Sequence, residues 1–269
     1  MGFTKEYKNI ILFITITLGC SFVLWGSLFI LEIEAPNLES GEPTKILPMV
    51  IFIINGFIPS IAGIILYRRQ RDIYKGRLKT IVPNGSLVFP IIILIGSFGV
   101  ILFLQVLLYN LFVSSYDYSI IGANISQLIP LVILGPLSEE IGWRGYFQDQ
   151  FKSMNSLKTS FIIGIVWALW HLPLFFIIGT TQQMNNVNFF TFVILLILQS
   201  YIMTYFYNRC KGSLFISIFI HYLYTVIFTF YLLGTSYSLL SDILSIIPVF
   251  IFALALLILE NINGQKATV

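Results

Sequence analysis

The residues with the greatest chemical potential are Glu139 and Glu140. They stand side by side in Ser138-Glu139-Glu140-Ile141-Gly142-Trp143-Arg144-Gly145-Tyr146, inside or just at the end of an apolar run that begins near Ile125. A charge at that depth in hydrocarbon costs about 2.5–3.5 kcal/mol even on insertion scales, so two of them need a reason. On a helix Glu140 and Arg144 are four apart and share a face, where they can pair. Glu139 is turned away by about 100° and lacks that partner. The two acids therefore fall into different environments, which is how a site sets one carboxylate aside as a general base. The only two histidines, His171 and His221, lie in two other apolar runs. Trp167 and His171 are four apart on one face, and Ser217, His221 and Thr225 form a polar stripe at i, i+4 and i+8. A base, a histidine beside it and donors aimed at a developing oxyanion are the parts of a hydrolytic site. Singly, each feature has a plainer reading: a snorkelling charge pair, a packing kink at Gly135-Pro136, a polar contact between helices. Jointly, the one adjacent acid pair and the only histidines occupy three apolar runs at overlapping depth, which packing alone does not require.

The elements that must position them are membrane helices. The chain is 57% hydrophobic and 10% charged, with mean hydropathy +0.90, whereas soluble domains carry about 25% charge. The fold class expected is all-α, a polytopic membrane protein forming a single domain over 1–269. Eight apolar segments are long enough to cross a ~30 Å hydrocarbon core. They run about 9–33, 47–67, 87–110, 124–143, 159–179, 188–207, 213–233 and 243–260. With the N-terminus cytoplasmic, every basic residue except Lys45 falls inside, and the even number of spans puts both termini in the cytoplasm. The stretch 144–158 reads as an interfacial surface element, because Tyr146, Phe147, Phe151 and Met154 recur at helical spacing among polar residues. That reading sets the acid pair one to two turns inside the cytoplasmic face. The net charge of +3 is too small to suggest a nucleic-acid partner, and Cys20 and Cys210 are neither a zinc motif nor an expected disulfide.

These residues resemble a known family. Glu139-Glu140-x-x-x-Arg144, then Trp167-x-x-x-His171, then His221 in a later span follow the motif order of the CAAX prenyl protease 2 and bacteriocin-processing family of intramembrane proteases. The flanks Trp143-Arg144-Gly145-Tyr146, Trp170-His171-Leu172-Pro173 and Gly212-Ser213-Leu214 are similar to it too, and the motif-bearing core covers about 124–233. The resemblance implies eight spans around a water-accessible cavity open to the cytoplasm. It implies that Glu139 activates water together with His171, that Glu140 and Arg144 set the geometry, and that His221 holds the oxyanion with a residue four positions on. The family usually has asparagine there and this chain has Thr225; where the family has phenylalanine this chain has Trp167. Members are widely labelled metalloproteases. Since no His-Glu-x-x-His helix is present, glutamate-activated water without a metal is favoured here, with zinc on Glu139, His171 and His221 as the alternative.

The expected function is thus an intramembrane endopeptidase whose peptide or protein substrate arrives from the cytoplasmic side. The high Ile, Phe, Asn and Tyr usage fits an AT-rich, bacterial coding sequence, and so a cell-membrane protein that processes a bacteriocin or leader peptide or confers self-immunity. The alternatives are a catalytically impaired immunity or regulatory protein of the same fold, and a proton-coupled transporter using the same ionisable residues.

Overall fold

The computed structural model of the chain describes residues 5–36, 45–67, 76, 78–119 and 133–266. All its long elements are helices, as unbroken apolar runs require: where no water can satisfy backbone N–H and C=O, a spanning segment bonds within itself. They are α1 (Lys5–Ile30), α2 (Ile46–Tyr67), α3 (Val88–Phe112), a short α4 (Ser138–Gly142), α5 (Ser156–His171), a single-turn α6 (Thr181–Met184), α7 (Phe189–Arg209), α8 (Leu214–Gly234) and α9 (Leu239–Lys266). Among the described residues seven helices are long and apolar enough to cross a membrane: α1, α2, α3, α5 with the turn after it, α7, α8 and α9. The chain is an all-α, integral, multi-pass membrane protein, close to the eight spans expected. The first part of the remaining expected span, 124–132, lies outside the described residues; the rest appears as a wide π turn (Ile133–Leu137) running into α4.

Polar caps start several helices. Asn155 accepts from Lys158 N, Asn188 from Phe190 N and Thr191 N, and Ser213 from Ile216 N. Between α7 and α8 the chain reverses through Lys211 and Gly212, both at positive φ, a conformation that glycine adopts without steric cost. α7 is central, packed against α5, α8 and α9, while α2 packs on α1 and α4 and α3 on α8 and α9. At Gly164 of α5 an added Cβ would lie 2.6 Å from Ile197 Cα, so the α5 and α7 backbones touch through that glycine.

Hydrogen bonds show which helix ends meet. At one end the Tyr67 hydroxyl donates to Gly145 O and Asp149, Thr80 Oγ1 donates to Gly212 O, and Ser156 Oγ donates to Glu260. At the other end Ala35 N donates to Ile178 O, Asp117 N to Gly234 O, and Thr191 Oγ1 to Asp242. The spans alternate in direction, as the sequence reading required.

The expected interfacial element over 144–158 is corrected. Trp143 through Phe147 are buried, and so are Gln148 and Phe151; exposure begins only at Lys152. Phe13 of α1 stacks on Phe147 at 4.7 Å, and Tyr67 of α2 meets Tyr146 edge-on at 4.9 Å. Aromatic spacing identified the packed face correctly, but the partners are helices rather than headgroups. The helical path continues through a second wide turn (Trp143–Phe147) and a 3-10 turn (Gln148–Phe151). This carries the acid pair roughly 15–20 Å from that end of the bundle, deeper than expected.

Candidate active site

The acid pair is held by a backbone contact. An added Cβ at Gly142 would lie 2.2 Å from Pro59 C and O, so no larger residue fits between α4 and α2. One residue on, Ser60 Oγ donates to Ser138 O and accepts from Gly142 N at 3.2 Å. Those two groups are partners across one helical turn, and the hydroxyl bridges them directly around Glu139 and Glu140. Pro136, which lacks an N–H, and the wide turns on both sides of α4 keep this stretch from being a uniform α-helix.

The two carboxylates point to different partners. Glu140 is fully buried; its Oε2 lies 3.5 Å from Arg144 Nε, and its Oε1 lies 2.9 Å from His221 Nδ1. Arg144 is itself fully buried and donates from Nη2 to Ser200 Oγ and Met203 Sδ, both at 3.2 Å. Its guanidinium sits 5.5 Å over the Trp167 ring. Among the described residues no lysine or arginine lies within ion-pair distance of Glu139. Its Oε2 accepts from Trp167 Nε1 at 2.8 Å, and its Oε1 faces the cavity beside Gly135. An atom placed as a Cβ on Gly135 would lie 3.7 Å from Glu139 Oε1 and 3.9 Å from His221 Nε2, so the two groups converge on one point.

Trp167 organises the rest. Its carbonyl is 2.9 Å from His171 Nδ1. A carbonyl only accepts, so Nδ1 carries the proton and His171 Nε2 is left with a lone pair. Trp170 at 4.7 Å and Phe192 at 5.4 Å fix the ring edge-on. For His221 the same reasoning makes Nδ1 the donor to Glu140; for Nε2 to donate as well, the ring must be an imidazolium paired with that carboxylate.

A cavity of about 400 Å³ gathers Glu139, His171, His221, Gly135, Trp167 and Thr225. All four acids and histidines of the sequence reading thus lie in one locality, with Glu140 and Arg144 behind the cavity wall. The expected polar stripe on α8 divides. Thr225 lines the cavity, but its hydroxyl donates to His221 O at 3.0 Å, within its own helix. Ser217 is fully buried and outside the cavity lining. Three participants escaped the sequence reading. Ser60 and Ser200 are small polar residues inside apolar spans, and Gln199 is a buried amide lining the cavity. Their only signal was polarity in mid-span, which also marks ordinary helix contacts.

The metal alternative can be tested against this arrangement. Among the described residues no three His, Cys, Asp or Glu side chains are grouped to hold a metal ion. Both histidine Nδ1 atoms are engaged, one on Glu140 and one on Trp167 O, so only the Nε2 atoms with Glu139 Oε1 would remain. A zinc ion would have to take those three atoms, which are not grouped for it among the described residues, and no step below is routed through one.

Comparison with known proteins adds to the geometry. Residues 121–227 match the family described as Type II CAAX prenyl endopeptidase Rce1-like. A curated CAAX prenyl protease 2 from Methanococcus maripaludis is 30% identical over 154 residues, 54% of this chain and 54% of the relative. The chain therefore aligns with about half the length of that relative. The matched stretch contains Glu139, Glu140, Arg144, Trp167, His171, His221 and Thr225.

Proposed function

We propose that the chain is a member of the type II CAAX prenyl endopeptidase family, as the match over residues 121–227 and the 30%-identical relative support, and that it is an intramembrane endopeptidase in which Glu139 activates water for attack on a peptide bond. The observation that carries this reading is the separation of the acids: Glu140 is bound by Arg144 and His221, while Glu139 presents one oxygen to the cavity. In the proposed reaction a water beside Gly135 gives a proton to Glu139 Oε1 or His171 Nε2 as its oxygen bonds to the scissile carbonyl carbon. The carbonyl oxygen becomes an oxyanion and takes a hydrogen bond from His221 Nε2–H, with Glu140 balancing the imidazolium. The proton taken from water then passes to the leaving amine. Trp167 holds both proton carriers in place through its indole N–H and its carbonyl. The substrate class we propose is a membrane-associated leader or bacteriocin peptide, with processing or self-immunity as the biological role.

One observation favours a second reading, a catalytically impaired immunity or regulatory protein. Thr225 stands where the family's asparagine is expected and spends its hydroxyl on His221 O. Cleavage of a peptide library by the purified protein in liposomes separates the two. The protease reading expects cleavage by the wild type, none by Glu139→Ala, and no dependence on added zinc. Cleavage unaffected by Glu139→Ala overturns the assignment. Stoichiometric zinc, with activity lost on chelation and restored by zinc, overturns the metal-free route.

A further inference from the structure

Gln199 is 1% exposed and lines the same cavity as Glu139, His171, His221 and Thr225, yet among the described residues neither its Oε1 nor its Nε2 has a hydrogen-bond partner. A buried carboxamide left unpaired is unfavourable by about 1–3 kcal/mol, so its retention at a cavity wall asks for a partner that arrives with a ligand. The chain also lacks a donor: Thr225 directs its hydroxyl at His221 O and cannot give the same proton to an oxyanion. The next residue on α7, Ser200, is fixed against Arg144, which anchors this turn of the helix to the Glu140–His221 pair. We infer that Gln199 is the second carbonyl-binding donor of this site, its amide N–H acting with His221 Nε2–H on the substrate carbonyl in place of the side chain at 225. This rests on the endopeptidase reading.

The test is steady-state cleavage in liposomes by Gln199→Leu and Gln199→Met, which keep bulk and remove the amide, alongside Glu139→Ala. The expected result is a kcat lower by roughly 10²–10³ with KM little changed, and thermal stability equal to or above wild type in at least one variant. Adding Thr225→Asn to that variant should restore at least part of kcat. Full activity in both Gln199 variants while Glu139→Ala is dead overturns the inference and leaves the protease reading standing. So does a loss of activity that tracks a loss of stability in both. Activity in Glu139→Ala overturns the reading itself.

A different observation concerns the side from which the site is supplied. From the acid pair the cavity lining extends to Ala35, Pro36, Gly179, Thr180 and the exposed Thr181, at the end of the bundle where α1 and α5 finish. The opposite end carries Lys8, Lys79, Lys152, Lys158, Arg209 and Lys211, and in the sequence Arg68, Arg69, Arg71 and Lys75 directly follow the end of α2 there. Among the described residues the basic residue at the cavity end is Lys45, just before α2. Positive charge is retained on the cytoplasmic side. The geometry points to a cavity open to the non-cytoplasmic side, and so to a peptide substrate already exported or presented there, in place of the cytoplasmic access expected from sequence. The orientation does not depend on catalysis. In a chain with Cys20→Ser and Cys210→Ser, a membrane-impermeant maleimide should label Thr181→Cys in intact cells and Lys152→Cys only after permeabilisation. Labelling of Lys152→Cys in intact cells, or of Thr181→Cys only after permeabilisation or not at all, overturns it.

Discussion

At the scale of single residues, two neighbouring glutamates do different work because their surroundings differ. Glu140 balances Arg144 in a fully buried pair and orients His221. Removing one member of such a pair leaves the other charge buried and costs about 3–5 kcal/mol. Glu140→Ala is therefore expected to lower the thermal stability of the purified protein sharply, whereas Glu139→Gln, whose amide oxygen can still accept from Trp167, should unfold close to wild type. Gly135 gives a second contrast. The methyl of Gly135→Ala would stand 3.7 Å from Glu139 Oε1, an ordinary contact, so stability should hold. That methyl occupies the space from which water must attack, and cleavage should fall by roughly 10²-fold, the scale of a misplaced reactant. The carboxylates and histidines were legible in the sequence because ionisable groups stand out in apolar runs. Gln199 was not, since a neutral amide in mid-helix looks the same whether it binds a neighbour or a substrate.

At the scale of elements, α2 is the anchor of the site, which the sequence did not reveal. It has no acid, base or histidine, and its contribution to the acid pair is a bridging hydroxyl and a backbone that accepts Gly142. Gly142→Ala forces apart two backbones and is expected to cost about 1–3 kcal/mol, as overpacking does. It should also reduce cleavage, because the displaced segment is α4 itself. Gly164→Ala makes a comparable clash between α5 and α7 at Ile197. Thermal inactivation measured beside cleavage rates for the two variants checks whether the α2 contact is the one to which catalysis is sensitive. The misreading of 144–158 has a physical cause at this scale. An amphipathic pattern tells which face of a helix is apolar, and both a lipid surface and a neighbouring helix satisfy it. Here α1 and α2 supply the apolar partner, and the acid pair lies correspondingly deeper.

At the scale of the whole molecule, alternating helices place one end of the bundle among basic residues and leave the cavity toward the other. Seven of the eight expected spans correspond to long apolar helices among the described residues, and hydropathy could mark them because each span must satisfy its backbone alone. The position of the cavity was not, since it depends on which helices leave space between them. The account stands on one claim: that Glu139, outside the Glu140–Arg144 pair and facing the cavity, drives water onto a peptide bond. Its most direct measurement is single-turnover cleavage of a peptide that the wild-type protein cuts in liposomes, compared with Glu139→Gln at matched thermal stability. Loss of general-base catalysis should slow cleavage by about 10²–10⁴-fold while the peptide still binds. Cleavage by Glu139→Gln at the wild-type rate would contradict the account.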